Sequence, residues 1–331
     1  MSCGTAPGVL KGETMKKFDV VVIGTAVIDI AIRPVDKSVF DHNFNRIEKP
    51  SLLLGGCGVN QSIALSRLGS RTALATIRGN DEFGNLMMSM LAREENPIDV
   101  SAVQISPDIN TGVSCAFISA DGSRHFCTDR GTNAHFNLMD GFDLSVLDQT
   151  NILSIAGSFG LPPFDGEEAG KLCLEAQRRG VVTVMDTFTD IYGLGWERAK
   201  HMFCAQDYLF PSYDEISDLT GEKDVSRIAD VLLDCGAKHV GIKLGAEGCY
   251  FKDADQEFRV PAMKGNIIDT TGAGDNFMAG FITGLIRGYD AEACCRLGCA
   301  AGFAASCSLG ANTGVKSYEQ LEQIIKGGEE S

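Results

Sequence analysis

The sequence is poor in the features that would assign a class of protein at once. It contains no run of 18 or more apolar residues, so the pattern predicts no membrane-spanning helix. Basic residues are scarce, because 29 Lys and Arg stand against 44 Asp and Glu for a net charge of −15. A surface of that sign repels nucleic acid and acidic membranes, so neither is expected as a partner. The first 17 residues lack the apolar core of a secretory signal, which predicts a flexible leader and a cytoplasmic protein.

The nucleotide motifs of fixed spacing are also missing. No G-x-x-x-x-G-K-[ST] occurs, which excludes a Walker-type phosphate loop. The segments beginning at Gly56 and Gly272 each supply only two of the three glycines of a dinucleotide fingerprint. A nicotinamide-dependent dehydrogenase is therefore a secondary hypothesis.

Cysteine is plentiful but not spaced for a metal or a redox motif. The twelve cysteines include no C-x-x-C pair, and four of them fall in an alanine-rich stretch between Cys294 and Cys307. No histidine lies near that stretch to complete a zinc set. We expect reduced thiols that pack as small buried apolar groups.

Short apolar runs alternate with segments of helical period along most of the chain. The clearest strand patterns are 18–24, 72–77 and 181–186, and the clearest helix patterns are 60–69, 166–180, 225–235 and 274–287. Repeated βα units predict an α/β fold with a doubly wound, mostly parallel sheet flanked by helices.

Two regions interrupt this alternation. Residues 30–54 lack a helical period, and residues 105–130 contain a β-hairpin pattern with a turn at Ala120-Asp121-Gly122. We predict that they form a small β-sheet lid on a single domain spanning 18–326, followed by a tail at 327–331.

The segment "DTTGAGDNFMAGF" (269–281) joins a glycine-rich turn to an almost wholly apolar helix. Gly272, Ala273 and Gly274 can expose backbone N–H groups at the positive end of that helix, which makes a site for an anion. Asp275 follows directly and is placed to accept a proton from an attacking hydroxyl group. Taken alone, the segment also fits a glycine turn with a capping aspartate.

Four segments in order make the chain resemble the ribokinase-like (PfkB) family of carbohydrate kinases. "GGCGVNQSIALSRLG" (55–69) and "DTTGAGDNFMAGF" resemble the two family signatures, and "IGTAVIDI" (23–30) and "RGNDEFG" (78–84) resemble two further segments. The resemblance covers about residues 18–326. It implies an ATP-dependent phosphotransferase that acts on a hydroxymethyl group of a pentose, ketohexose or sugar acid.

The resemblance also implies roles for individual residues. Asp275 is similar to the catalytic base, and Gly272, Ala273 and Gly274 to the anion hole. The substrate-binding residues it implies are Asp29, Gly55, Gly56 and Asn60. Asp29 is expected at the end of the first strand, where the alternative is a solvated acid with no role in binding. For Gly55, Gly56 and Asn60 the alternative is a plain turn with Asn60 as helix cap.

The nucleotide and metal assignments come from the same resemblance. Lys243, Gly245, Gly248 and Ser212 are expected near ATP. Glu215 is expected to hold Mg²⁺ through water, and Asp269 and Thr271 to bind a monovalent cation, K⁺. Ser212 departs from the family's asparagine, and Cys57 stands where ribokinases often carry lysine, which weakens a strict ribokinase assignment.

The acceptor class and the assembly stay open at this level. A nucleoside kinase of the same fold is one alternative, and a sugar- or nucleotide-sensing protein without turnover is another. The partner expected is a small sugar or nucleoside, with a homodimer formed through the β-lid.

Overall fold

The computed structural model describes residues 16–48, 50–120, 124–135 and 137–329. Its strands are β1 (Phe18–Gly24), β2 (Val27–Ile32), β3 (Ser51–Gly55), β4 (Thr72–Ala75), β5 (Ile77–Gly79), β6 (Gln104–Ser106), β7 (Gly112–Ile118), β8 (Arg124–Asp129), β9 (Thr150–Ser158), β10 (Val182–Thr187), β11 (Tyr208–Phe210), β12 (His239–Lys243), β13 (Cys249–Lys252) and β14 (Glu257–Val260). Its α-helices are α1 (Cys57–Arg67), α2 (Glu82–Leu91), α3 (Thr132–His135), α4 (Glu167–Arg178), α5 (Gly195–Phe203), α6 (Tyr213–Thr220), α7 (Val225–Cys235), α8 (Ala273–Ile286), α9 (Ala291–Ser306) and α10 (Tyr318–Glu329).

The main sheet has eight strands in the order β14-β13-β12-β11-β10-β9-β1-β4. Its strands pair in parallel from β4 through β12, and β13 and β14 add an antiparallel edge. Both faces are covered, as β1 shows: Val21 and Ile23 pack into one core cluster, and Val20 and Val22 into the other. Burial on both faces explains why these strands have apolar runs rather than alternating polarity. The predicted α/β architecture is confirmed.

A separate four-stranded sheet, in the order β3-β2-β7-β8, is formed by the two regions that interrupt the βα alternation. It packs through Ile28 and Leu54 against α1 and α2, in a third cluster with Val59, Ile63 and Met87. The small sheet begins at Val27 rather than near residue 30. β6 pairs with β5 in a third, two-stranded sheet instead of joining it.

Several local expectations change. Asp29 lies inside β2 of the small sheet, not at the end of the first strand. Helix α1 begins at Cys57 with Gly56 as its N-cap, so Asn60 is inside the helix and does not cap it. Helix α10 continues to Glu329, into the segment expected as a tail.

Most of the expected leader, residues 1–15, and the hairpin residues 121–123 lie outside the described residues. In the part of the chain that is described, none of the helices is long and apolar enough to cross a membrane. The eleven cysteines described there are all free, and five of them are buried, including Cys294, Cys295 and Cys299. The expectation of buried thiols is wrong for the others, since Cys307 is only partly buried and Cys127 and Cys204 are exposed.

Candidate active site

The start of α8 is held in place by a residue that must be glycine. Gly272 is the N-cap and has a φ of 74°, in the left-handed region that favours glycine. A Cβ on Gly272 would also lie 2.5 Å from the Cβ of Ala311. No side chain caps the helix, so Asp275 does not act as the cap that the isolated motif allowed. Because α8 is buried along nearly its whole length, its first turn is fixed relative to the sheet.

The amides of this turn are not equally free to bind an anion. The Ala273 N–H donates to the Thr270 carbonyl at 3.1 Å, and the Asn276 N–H to the Gly272 carbonyl at 3.0 Å. Among the described residues, no backbone carbonyl accepts from the N–H groups of Gly274 or Asp275. First-turn amides lack intrahelical acceptors, so these two are the best placed to bind an anion.

Asp275 is buried and is connected directly to the predicted sugar loop. Its Oδ2 accepts a hydrogen bond from the Asn60 Nδ2 at 2.7 Å, across 215 residues of sequence. Burial and the negative charge of Asp186 raise the pKa of Asp275 to about 6, against the hydrogen bond from Asn60 and the charge of Lys243. A carboxyl group with this pKa is ionised near neutral pH and can still accept a proton.

Lys243 and Asp186 form a buried ion pair next to Asp275. The Lys243 Nζ lies 3.3 Å from the Asp186 Oδ2, and the two side chains are 9% and 2% exposed. The same Nζ lies 3.4 Å from the position that a Cβ on Gly274 would occupy, so the ammonium group borders the first turn of α8. Burial lowers the pKa of Lys243, but the charges of Asp186, Glu215 and Asp275 outweigh it and raise that pKa.

The sequence interpretation did not include Asp186. It ends the apolar run "VVTVMD" (181–186), and burial raises its pKa. Its Oδ1 accepts the Gly157 N–H at 2.6 Å. An acid near the end of a buried parallel strand lies at the carboxyl edge of the sheet, where α/β folds bind ligands, and that signal could have identified it.

Ser212 and Glu215 together cap α6. They form a capping box, in which the Glu215 Oε2 accepts the Ser212 N–H at 3.4 Å. The Thr187 hydroxyl donates to the same Oε2 at 2.6 Å. Burial raises the pKa of Glu215, although Lys243 and the Thr187 hydrogen bond oppose that shift. Serine caps a helix as well as asparagine does, so the departure from the family pattern preserves the local structure.

A cleft of 1110 Å³ opens on one side of this centre. It brings together the predicted nucleotide residues Ser212, Lys243, Gly245 and Gly248 with Ala273 and Gly274. Phe277, Phe303 and Ile267 add an apolar wall. A large cleft with apolar walls and a few polar groups at one end has the chemistry of a nucleotide site.

The predicted sugar residues Asp29, Gly55, Gly56 and Asn60 do not line that cleft. Asp29 and Gly55 are close neighbours, because a Cβ on Gly55 would overlap the Asp29 carboxylate. Burial raises the pKa of Asp29 to about 6. Asn60 connects this group to Asp275, so the two sets of residues approach the base from different elements.

The carboxylate of Asp269, predicted for a monovalent cation, connects two loops. It accepts the Thr271 N–H at 2.8 Å and the Gly310 N–H at 2.7 Å. Across the described residues, no group of three or more His, Cys, Asp or Glu side chains is suited to hold a metal. Cation binding here stays a prediction that depends on backbone carbonyls.

The chain is similar in sequence to known sugar kinases. The family model described as pfkB family carbohydrate kinase matches residues 17–317. An uncharacterized sugar kinase of Archaeoglobus fulgidus is 30% identical, over 71% of this chain and 91% of the relative. The deoxyribokinase of Salmonella typhi is 26% identical, over 93% of this chain and 97% of the relative.

Solved structures show the same fold. The Arabidopsis thaliana ribokinase complexed with ribose and ATP has a TM-score of 0.78 at 21% identity. The match covers 93% of this chain and 99% of that chain.

Proposed function

The chain belongs to the pfkB family of carbohydrate kinases, and from that premise we propose that it transfers the γ-phosphoryl group of ATP to a hydroxymethyl group of a sugar. The observation that carries the proposal is the setting of Asp275: a buried carboxylate with a pKa near 6 in the first turn of α8, beside free amides and the Lys243 ammonium group.

The proposed transfer step exchanges one phosphorus–oxygen bond for another. The acceptor oxygen forms a bond to the γ-phosphorus as the bond from that phosphorus to the β,γ-bridging oxygen breaks, and Asp275 takes the hydroxyl proton. Charge builds up on the phosphoryl oxygens, where the Gly274 and Asp275 amides and Lys243 would stabilise it. Asp29, Gly55, Gly56 and Asn60 would hold the sugar with its hydroxymethyl group towards Asp275.

ATP would occupy the 1110 Å³ cleft, with Gly245 and Gly248 against the nucleotide. Mg²⁺ would supply positive charge that offsets the negative charge of the ATP phosphates. Few protein carboxylates are needed for it, since magnesium keeps several waters in such sites, and Glu215 would hold one of them. K⁺ near Asp269 and Thr271 would order the loop that precedes α8.

The assembly and location follow from the same proposal. The outer part of the small sheet exposes about half of Leu52 and Phe126, which would be covered if two copies paired through this lid. Size-exclusion chromatography of a Phe126→Glu variant would detect the loss of such a dimer. The need for ATP and the free thiols fit a cytoplasmic enzyme.

The test of the function is Asp275→Asn. We expect kcat to fall by about 10²- to 10⁴-fold in an ADP-release assay, because the variant keeps the shape of the side chain and loses the base. Asp290→Asn is the matched control, since Asp290 caps α9 and asparagine caps as well. An Asp275→Asn enzyme with near wild-type kcat would overturn the proposal.

The same assay with nucleosides in place of sugars tests the nucleoside kinase alternative. Binding of sugar and ATP by the wild-type protein without any ADP release would favour a sensing protein.

A further inference from the structure

Arg130 is a partly buried residue to which the proposed phosphoryl transfer assigns no role. Its Nε and Nη2 atoms are buried and have no hydrogen-bond partner in the part of the chain that the structure describes. The guanidinium carbon lies over the Phe188 ring, 5.0 Å from its centre. A buried charged donor without an acceptor costs free energy, so such a residue calls for a ligand.

The backbone around Arg130 is tightly held. The Asn133 side chain accepts the Ala26 N–H at 3.0 Å and donates to the carbonyls of Ala26 and Arg130, at 2.9 and 3.0 Å. Ala26 directly precedes β2, the strand that carries Asp29. Arg130 is therefore anchored where the small sheet joins the main one.

The guanidinium group lies at the carboxyl edge of the main sheet, on the side of the reaction centre. Phe188 follows β10 two residues after Asp186, and its N–H donates to the Ser158 carbonyl at 2.8 Å. A Cβ built on Gly157 would lie 3.8 Å from the Phe188 Cβ and 2.5 Å from the Cys57 Sγ. Cys57 lies beside Asp275, whose pKa it lowers through a side-chain hydrogen bond. Phe188, Gly157 and Cys57 are thus successive neighbours between Arg130 and the base, and all lie on the same side of the sheet.

We propose that Arg130 binds a carboxylate of the acceptor, so that the substrate is a sugar acid rather than a neutral sugar. This inference depends on the proposed kinase function. Nε and Nη2 carry the two parallel N–H groups on one edge of the guanidinium plane, the edge that pairs with both oxygens of a carboxylate. The cation–π contact with Phe188 stabilises the guanidinium group at this place in the absence of a ligand.

A carboxylate fits better than a phosphate group. Phosphate carries about two charges and three acceptor oxygens and is usually met by more than one cation. Here one guanidinium group offers one free edge. The substrate would place its carboxylate at Arg130, its hydroxyls at Asp29 and Asn60, and its terminal hydroxymethyl group at Asp275.

The first experiment compares acceptors of equal chain length by ADP release. Gluconate is paired with glucose and 2-ketogluconate with fructose, and fructose 6-phosphate supplies a phosphate. We expect the wild-type kcat/KM to be higher for the acid of at least one pair. In Arg130→Met that acid-to-neutral ratio should fall by about 30-fold or more, as for loss of one partner of a buried charge pair.

Two further variants identify the cause. Arg130→Lys keeps the positive charge but lacks the two parallel N–H groups of the guanidinium edge. Its acid-to-neutral ratio should therefore lie between those of the wild type and Arg130→Met. Arg178→Met is the control, since Arg178 is 73% exposed on α4, and its ratio should equal the wild-type ratio. A ratio unchanged in Arg130→Met, or a preference for fructose 6-phosphate, would overturn the carboxylate assignment.

A second experiment needs no turnover. Without ATP, the preferred acid should raise the Tm of the wild type but not of Arg130→Met, and the unliganded variant should be no less stable than the wild type. A lower Tm of the unliganded variant together with an unchanged acid response would show a structural arginine and overturn the inference.

The two proposals fail separately. Neutral sugars turned over without any preference for acids would overturn only the inference. An acid-dependent Tm shift that requires Arg130, without ADP release from any acceptor, would support the acid site and overturn the kinase function.

Discussion

Replacement of Lys243 by methionine separates two roles of one ammonium group. In the wild type the Nζ pairs with Asp186 at 3.3 Å inside the protein and borders Gly274 in the first turn of α8. Methionine keeps the length of the side chain and removes the charge. The Asp186 carboxylate then stays buried without its cation, which costs about 3–5 kcal/mol of folding free energy.

That loss should depend on pH. Burial already raises the pKa of Asp186 in the wild type, and removal of Lys243, which lowers it, raises it further. The folded variant then holds a proton that the unfolded chain, with an ordinary aspartate pKa, releases. Stability of the variant therefore increases as the pH falls from the folded pKa of Asp186 towards the unfolded value. Part of the stability difference from wild type should therefore be recovered as the pH is lowered.

The double variant Lys243→Met/Asp186→Asn distinguishes folding from catalysis. Asparagine has no charge to leave unpaired, so the double variant should be more stable than Lys243→Met by about 1 kcal/mol or more. Its kcat should stay low by about 10²- to 10³-fold, because the charge beside the transferring phosphoryl group is still absent.

Urea unfolding at two pH values and ADP release measure the two effects. A loss of stability below about 1 kcal/mol without pH dependence would refute the buried pair, since exposed pairs contribute no more than that. A double variant with restored kcat would refute the catalytic role of Lys243.

Two further predictions concern the base and the sugar loop. Because the pKa of Asp275 is about 6, log kcat/KM should fall with decreasing pH below about 6. Asn60→Ala removes a hydrogen bond that lowers this pKa, so the midpoint of the pH–rate profile should move to higher pH; an unmoved midpoint would argue against Asp275 as the titrating group. In Gly55→Ala the new Cβ displaces the Asp29 carboxylate, so the sugar KM should rise by about tenfold or more while the ATP KM changes little. Equal changes in both KM values would show a general distortion instead.

The sequence predicted the parts of the site that are built from adjacent residues. Gly272 to Asp275 form one turn, so their relation to each other follows from local geometry, and the buried helix behind them follows from composition. The set of amides available to an anion differs from the prediction, because the Ala273 N–H donates to the Thr270 carbonyl. The sequence motif does not reveal that hydrogen bond.

Contacts between elements that are distant in the sequence could not be predicted from the sequence. Asn60 meets Asp275 across 215 residues, and Lys243 meets Asp186 across 57. Asp29 was misplaced for a local reason: only Thr25 and Ala26 separate β1 from β2, so "VVIGTAVIDI" looks like one strand although the chain changes sheet there. No pattern in the sequence identifies Arg130, because its unpaired N–H donors can be recognised only from the three-dimensional surroundings of the side chain.

The charge of the chain and the charge of its cleft have different consequences. A protein with a net charge of −15 should repel ATP at long range. The cleft offsets this in part, because its lining contains the basic residues Lys223, Lys243, Arg259 and Lys264. Its acidic lining residues are Asp214, Asp224 and Glu247. Since Lys243 is the buried one of the four, its charge is screened least by salt, and it sits where phosphoryl transfer would occur. The electrostatic attraction of a nucleotide would therefore depend on a few basic side chains in the cleft. An acidic surface elsewhere on the protein is compatible with an anionic substrate.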